Sequence, residues 1–208
     1  MVEYLETYKS NETKLNNSIT NNNFKHKIMR PKPINKEVTW DKTQLIMSKT
    51  DLRGIIEYVN PAFLQVSGYT EEEVLGKPHN ILRHPDMPKA VFKILWDNLK
   101  LGNNSHAVVK NLAKSGEYYW VATDFDMIIG SDGAIKGYMG RRKAFDDDVV
   151  TSNIEPLYKK LLEIEAIQGE EASVNYLMDF LKEKNTTYKD YVRDLVKLDN
   201  FFGGIFRK

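Results

Sequence analysis

The sequence predicts an α+β domain followed by a helical extension. Three observations carry this. Strand-like segments fall into two blocks, with short helices and one longer helix between them. The second block is punctuated by Gly-containing turn signals that suit antiparallel hairpins. Beyond Phe145 the apolar residues recur at helical spacing. Strands segregated from helices and joined by hairpins indicate α+β rather than a parallel α/β sheet.

The elements follow in order. Residues 1–37 are rich in Asn, Lys and Thr, as in NNSITNNNFKHK, and read as a flexible tail. Tyr4, Leu5 and Tyr8 suit a short helical turn at its start. His26 stands alone there and is expected to be inert. The domain proper is expected over 38–148. LIMSKT (45–50) and IIEYVN (55–60) read as strands around the polar turn DLRG. Asn60–Pro61 then provides an N-cap and a proline at the first helical position, and Gly68 closes the short helix PAFLQVS. Thr70 and Glu73 make a capping box for a second short helix that ends at Gly76. KPHNILRHPDMP has no clean period. Pro88 opens a longer helix with Val91, Ile94, Leu95, Asn98 and Leu99 on one face, closed by Gly102. AVVKNLA and EYYWVATDF flank the turn Lys114–Ser115–Gly116, and AIKGYMGRRKAF follows the turn Gly130–Ser131–Asp132–Gly133 as the last strand. Residues 149–208 form the helical extension. Its three amphipathic segments are marked by Ile154, Leu157, Leu161 and Ile164, then by Tyr176, Leu177, Phe180 and Leu181, then by Tyr188, Tyr191, Val192, Leu195 and Val196.

Composition narrows the chemistry. The 208 residues carry a formal net charge of +1, so no global field points to nucleic acid. Cysteine is absent, which excludes disulfides, thiolate nucleophiles and cysteine-held metals. No apolar run approaches the roughly 18–20 residues that span a bilayer, and the N-terminus lacks a signal-peptide pattern, so a cytoplasmic protein is expected. No GxGxxG loop and no nucleophile–base pair is visible, and a non-enzyme is expected.

The strings VNPAF, VSGYTEEEVLGKPHN and RHPDMP, followed by VVKN and GYMGRRK, resemble a PAS domain over roughly residues 43–145. More narrowly they resemble the flavin-binding PAS domains of bacterial aerotaxis, or energy-taxis, receptors and their separate cytoplasmic subunits. The resemblance implies a five-stranded antiparallel sheet with short helices on one face and FAD held non-covalently between them. It implies cofactor-binding roles for Arg83, His84 and Asp86, with Asn60, Asn80, Trp96 and Asn111 lining or supporting the site. The residue chemistry agrees with that role. A planar guanidinium suits phosphate, imidazole suits a group whose charge changes, and amides suit the donor–acceptor edge of a flavin ring. Asp86 suits orienting either neighbour or capping the helix at Pro88.

One departure stands out. Where the family carries a Pro–Trp pair a few residues ahead of VVKN, this chain reads Gly102–Asn103–Asn104–Ser105–His106, with Ser105 at the place of the aromatic and His106 next to it. Loss of the ring is expected to enlarge the pocket or shift its cofactor preference. The alternative cofactor is heme b, with His106 or His84 on the iron. A cofactor-free interaction module is the remaining alternative. His79 reads as a turn residue, and Arg141, Arg142 and Lys143 as a solvated strand end.

The resemblance implies a redox sensor that signals to a separate membrane chemoreceptor. The extension and the terminal FFGGIFRK are candidates for docking or for peripheral membrane contact, and Tyr4 and Tyr8 for packing on a second PAS protomer.

Overall fold

The computed structural model describes residues 30–197. Tyr4, Leu5, Tyr8, His26 and the FFGGIFRK stretch, with the roles expected of them, lie outside the described residues.

Five strands form one antiparallel sheet in the order β2-β1-β5-β4-β3. They are β1 (Ile46–Asp51), β2 (Ile56–Val59), β3 (Ser105–Leu112), β4 (Tyr118–Ile129) and β5 (Ile135–Lys143). The two sequence blocks meet through β1 and β5, so the first hairpin completes the sheet that the last three strands begin. Backbone pairing reaches back ahead of Val38: the Ile34 N–H donates to Gly116 O at 2.8 Å, and Tyr118 exchanges bonds with Lys36 and Val38.

Between the blocks lie α1 (Pro61–Ser67), α2 (Glu71–Val74) and α3 (Lys89–Lys100). Local chemistry sets their ends. The Asn60 side chain accepts from the Phe63 N–H at 3.0 Å, and Gly68 takes the left-handed conformation at φ 70° that stops the chain. The Glu73 carboxylate accepts from the Thr70 N–H at 2.9 Å. α3 begins after Pro88 and buries Ala90, Val91, Leu95 and Leu99. Asp86 does not cap it: no side chain of its own turn does so. The Ala90 N–H instead donates to the Glu165 carboxylate, 75 residues away, at 3.0 Å.

After a helical turn at Asp147–Val149 and one π turn at Val150–Ile154, the extension forms α4 (Glu155–Gln168), α5 (Glu170–Glu183) and α6 (Tyr188–Val196). α4 packs against α5, α5 against α3, and α6 against β3. Ile154, Leu157, Leu161 and Ile164 are all buried, as their spacing predicts. β3 is an edge strand, whose unpaired backbone groups need cover. The extension supplies part of it: the Tyr158 hydroxyl donates to Val108 O at 2.6 Å and shares a hydrogen bond with the Tyr188 hydroxyl at 2.6 Å. Apolar side chains of sheet, helices and extension join in one cluster.

Candidate functional site

Side chains alternate across a strand, so each strand offers one face to α3 and the other away from it. Ser48 and Thr50 of β1, Val109 and Asn111 of β3, Phe125 of β4 and Tyr138, Gly140 and Arg142 of β5 face the same way. With Phe92, Leu95, Trp96 and Leu99 of α3 they enclose a cavity of about 560 Å³. That volume lies within the roughly 300–1,000 Å³ usual for small-molecule sites. Trp96 meets Tyr138 edge-on at 5.3 Å between ring centroids, which stiffens the apolar wall.

The lining is strongly cationic. Arg53, Arg83, Lys89, Lys93, Lys100 and Arg142 stand against two carboxylates, Asp97 and Glu170. Lys93 and Asp97 pair with each other at 3.0 Å. Arg83 is half-buried: its guanidinium donates to Met87 O at 2.9 Å and lies 4.5 Å from the Phe92 ring centroid. Burial lowers its pKa, and Glu165 of the extension opposes that shift. Asn111 is buried, and its side-chain nitrogen has no hydrogen-bond partner. An orphaned buried donor costs about 1–3 kcal/mol, so one on a cavity wall suits a ligand acceptor.

The sequence-predicted residues divide. Arg83, Asn80, Trp96 and Asn111 come together on the cavity, whereas His84, Asp86 and Asn60 do not line it. The RHPDMP loop crosses the β3 edge: Arg83 bridges to Asn111 on the cavity side, and the next residues turn toward Lys110. His84 is buried, its Nδ1 accepts from the Asp86 N–H at 3.1 Å, and burial lowers its pKa. Asp86 receives the Lys110 ammonium at 2.7 Å, and Lys110 also lies 4.4 Å from the Tyr118 ring centroid. Both residues therefore anchor the loop. Asn60 spends its side chain on local structure, accepting from Met47 N–H at 2.9 Å as well as Phe63 N–H, and donating to Leu45 O at 2.7 Å.

His106 sits one residue out of phase with Val109 and Asn111, on the sheet face away from the cavity. Its Nδ1 lies 3.0 Å from Asp124 Oδ1. Among the described residues no cluster of metal-ligating side chains occurs. Ser105 is buried directly opposite Phe125, which lines the cavity and supplies a ring next to the position where the family carries its own.

Arg142, Ser48 and His79 form a group on the lining that was not anticipated. Arg142 is buried at 3% exposure and donates to Ser48 Oγ at 2.9 Å and Gly140 O at 3.2 Å. Its Nη2 lies 3.0 Å from His79 Nε2, which also lies 3.0 Å from Ser48 Oγ. A guanidinium only donates, so Nε2 accepts and carries no proton. Burial and the adjacent Arg142 push the His79 pKa down to about 3, and burial pushes Arg142 down to about 10. Alternation along β5 was the available signal: Tyr138, Gly140 and Arg142 share a face, and a Cβ on Gly140 would meet Arg142 Nη2 at 2.6 Å.

The residues fit a flavin dinucleotide. Apolar walls, a cationic rim and two amides, one of them with an orphaned donor, match a large ring with a polar edge and a pyrophosphate.

The sheet order and the helices packed on one of its faces are those of the PAS fold, and residues 56–142 match the family model described as PAS fold. This region has the PAS fold. Its kinship points to sensory proteins. It is similar to the aerotaxis receptor of Escherichia coli, with 46% identity over 117 residues, covering 56% of this chain and 22% of that protein. It is also similar to a blue-light-activated histidine kinase of Rhizobium johnstonii, with 27% identity over 169 residues, covering 78% of this chain and 44% of that protein. A solved light-oxygen-voltage domain overlays with TM-score 0.48 and 20% identity, covering 56% of this chain and 87% of that one. The chain thus spans only about a fifth of the aerotaxis receptor's length, 22%.

Proposed function

We propose that this PAS domain is a non-catalytic redox sensor that binds FAD non-covalently and passes its state to a separate membrane chemoreceptor. The observation that carries the reading is the cavity itself: an apolar slot with a cationic rim and the orphaned Asn111 amide on its wall. The resemblance to the aerotaxis type and the 46% identity to an aerotaxis receptor support the same reading.

FAD supplies reversible electron uptake when bound. The chain's own residues do the rest. Arg83, Lys89 and Lys93 suit the pyrophosphate, because charge-assisted bonds to phosphate are strong and the rim carries few competing carboxylates. Asn80 and Asn111 suit the ring edge, and Trp96, Leu95 and Phe125 exclude water from its faces. His84, Asp86 and Asn60 hold the loop and helix that place Arg83 and the cavity wall.

The extension is the output element. Glu170 lines the cavity, while Glu165 caps α3 and acts electrostatically on the lining Arg83, so a change in ligand charge reaches α5 directly and α4 through Arg83. Among the described residues no helix is long and apolar enough to cross a membrane. In this reading the receptor holds the membrane span, and the sensor works on its cytoplasmic side.

The test is a visible spectrum of the purified protein before and after dithionite. Wild type is expected to show a flavin band at about 450 nm that bleaches on reduction. Arg83→Ala and Asn111→Ala are expected to lose most of it while keeping wild-type secondary structure. A colourless wild type that stays colourless after incubation with FAD defeats the reading.

A further inference from the structure

Arg142 is the most deeply enclosed charge on the cavity wall. Its guanidinium is held by Ser48, Gly140 O and His79, none of which is anionic. Among the described residues it forms no ion pair with a carboxylate. Desolvating a cation without a counter-charge costs several kcal/mol, a cost that proteins usually offset with a partner of opposite sign. His79 does not help, because its neutral ring accepts one bond but adds no negative charge. The Phe125 ring, 5.9 Å from the guanidinium carbon to its centroid, gives only a weak cation–π contact. The strand gives up side-chain volume at Gly140 to let the guanidinium lie flat against it.

A buried cation held in place by neutral groups and open to a ligand cavity is built to face negative charge that arrives with the ligand. Resting on the flavin reading, we propose that Arg142, positioned by Ser48 and His79, sets the reduction potential of the bound ring by favouring its reduced, more negative form. The rim cations cannot do this as well. They are exposed to solvent screening, whereas Arg142 sits where the local dielectric is low. Charge near the ring is one of the levers by which a protein tunes a flavin.

The test uses the full chain loaded with FAD, as wild type, Arg142→Lys and Arg142→Gln. Flavin stoichiometry is read from absorbance, and the reduced-to-oxidised ratio by equilibration with a redox dye. Arg142→Gln is expected to lower that ratio at least tenfold at a fixed solution potential, about 30 mV for a two-electron couple. Arg142→Lys keeps a cation and is expected to retain most of the wild-type ratio. An unchanged ratio in Arg142→Gln overturns the inference and leaves flavin binding standing. Equal losses in the Lys and Gln variants also overturn it, since shape rather than charge is then what matters. If Arg142→Gln does not fold, Ser48→Ala is measured instead: it removes one of the three groups that hold the guanidinium while keeping the cation, and an unchanged ratio there overturns the inference that Ser48 positions it. A wild type that takes up no FAD overturns the flavin reading, and this inference falls with it.

Discussion

Asp86, expected at the cofactor, places its carboxylate on Lys110 rather than in the cavity. Its carboxylate is half-exposed but carries the single short bond to the Lys110 ammonium, which is otherwise enclosed by Tyr118 and Trp120. Asp86→Ala is therefore expected to lower stability by about 1–2 kcal/mol, read as a shift in the urea midpoint, with flavin stoichiometry in the folded fraction unchanged. Stoichiometric loss of flavin at full stability would return Asp86 to the binding site. Asn60→Ala removes a cap and the bonds to Leu45 and Met47 at once, and is expected to cost about 2 kcal/mol by the same measurement. His79 brings a pH dependence. Its folded pKa of about 3 lies below the ordinary 6.5, so between these values the unfolded chain binds more protons. Stability is whole above about pH 6.5 and declines as pH falls through that window. His79→Gln keeps an acceptor for Arg142 but cannot titrate, and should flatten the decline in urea midpoint between pH 7 and pH 4.

At the scale of elements, the extension behaves as part of the domain's packing. α6 rests on β3, α5 on α3, and two tyrosine hydroxyls tie α4 and α6 to the edge strand. Tyr158→Phe keeps the ring and deletes the donor, leaving Val108 O and the Tyr188 hydroxyl short of a partner in a buried place. The expected effect is faster amide exchange in α4 and α6, equivalent to about 1–2 kcal/mol of local stability, with little change in β1 and β2. Uniform acceleration across the sheet would show that extension and sheet open as one unit. The helices themselves were readable from spacing, since Leu157, Leu161, Leu177, Val192 and Val196 are buried as their period requires. Their docking surface was not readable. An amphipathic stripe states that a partner exists, but which strand edge meets it depends on the path of the whole chain.

For the molecule as a whole, a ligand that binds only the folded state raises stability by mass action. FAD at about a hundredfold over its dissociation constant adds about 2.7 kcal/mol, or roughly 5–10 °C in Tm for a chain of this size. Differential scanning calorimetry with and without FAD measures it, and an unchanged Tm counts against the cavity as the flavin site. Local chemistry in the sequence determined the strands, the capped helices α1 and α2, the start of α3 after Pro88 and the pattern of the extension, because caps, turns and periodicity act over a few residues. The family resemblance, rather than local chemistry, carried Arg83, Asn80, Trp96 and Asn111 toward one site. Only the tertiary structure decided that His84 and Asp86 turn away at the β3 edge, that His106 faces the far side of the sheet, and that Glu165 caps α3. It alone brought Ser48, His79 and Arg142 together, residues drawn from β1, the loop before α3 and β5. Burial of a charge and the company it keeps are long-range properties: they depend on which strands become neighbours, and no window of adjacent residues contains that information.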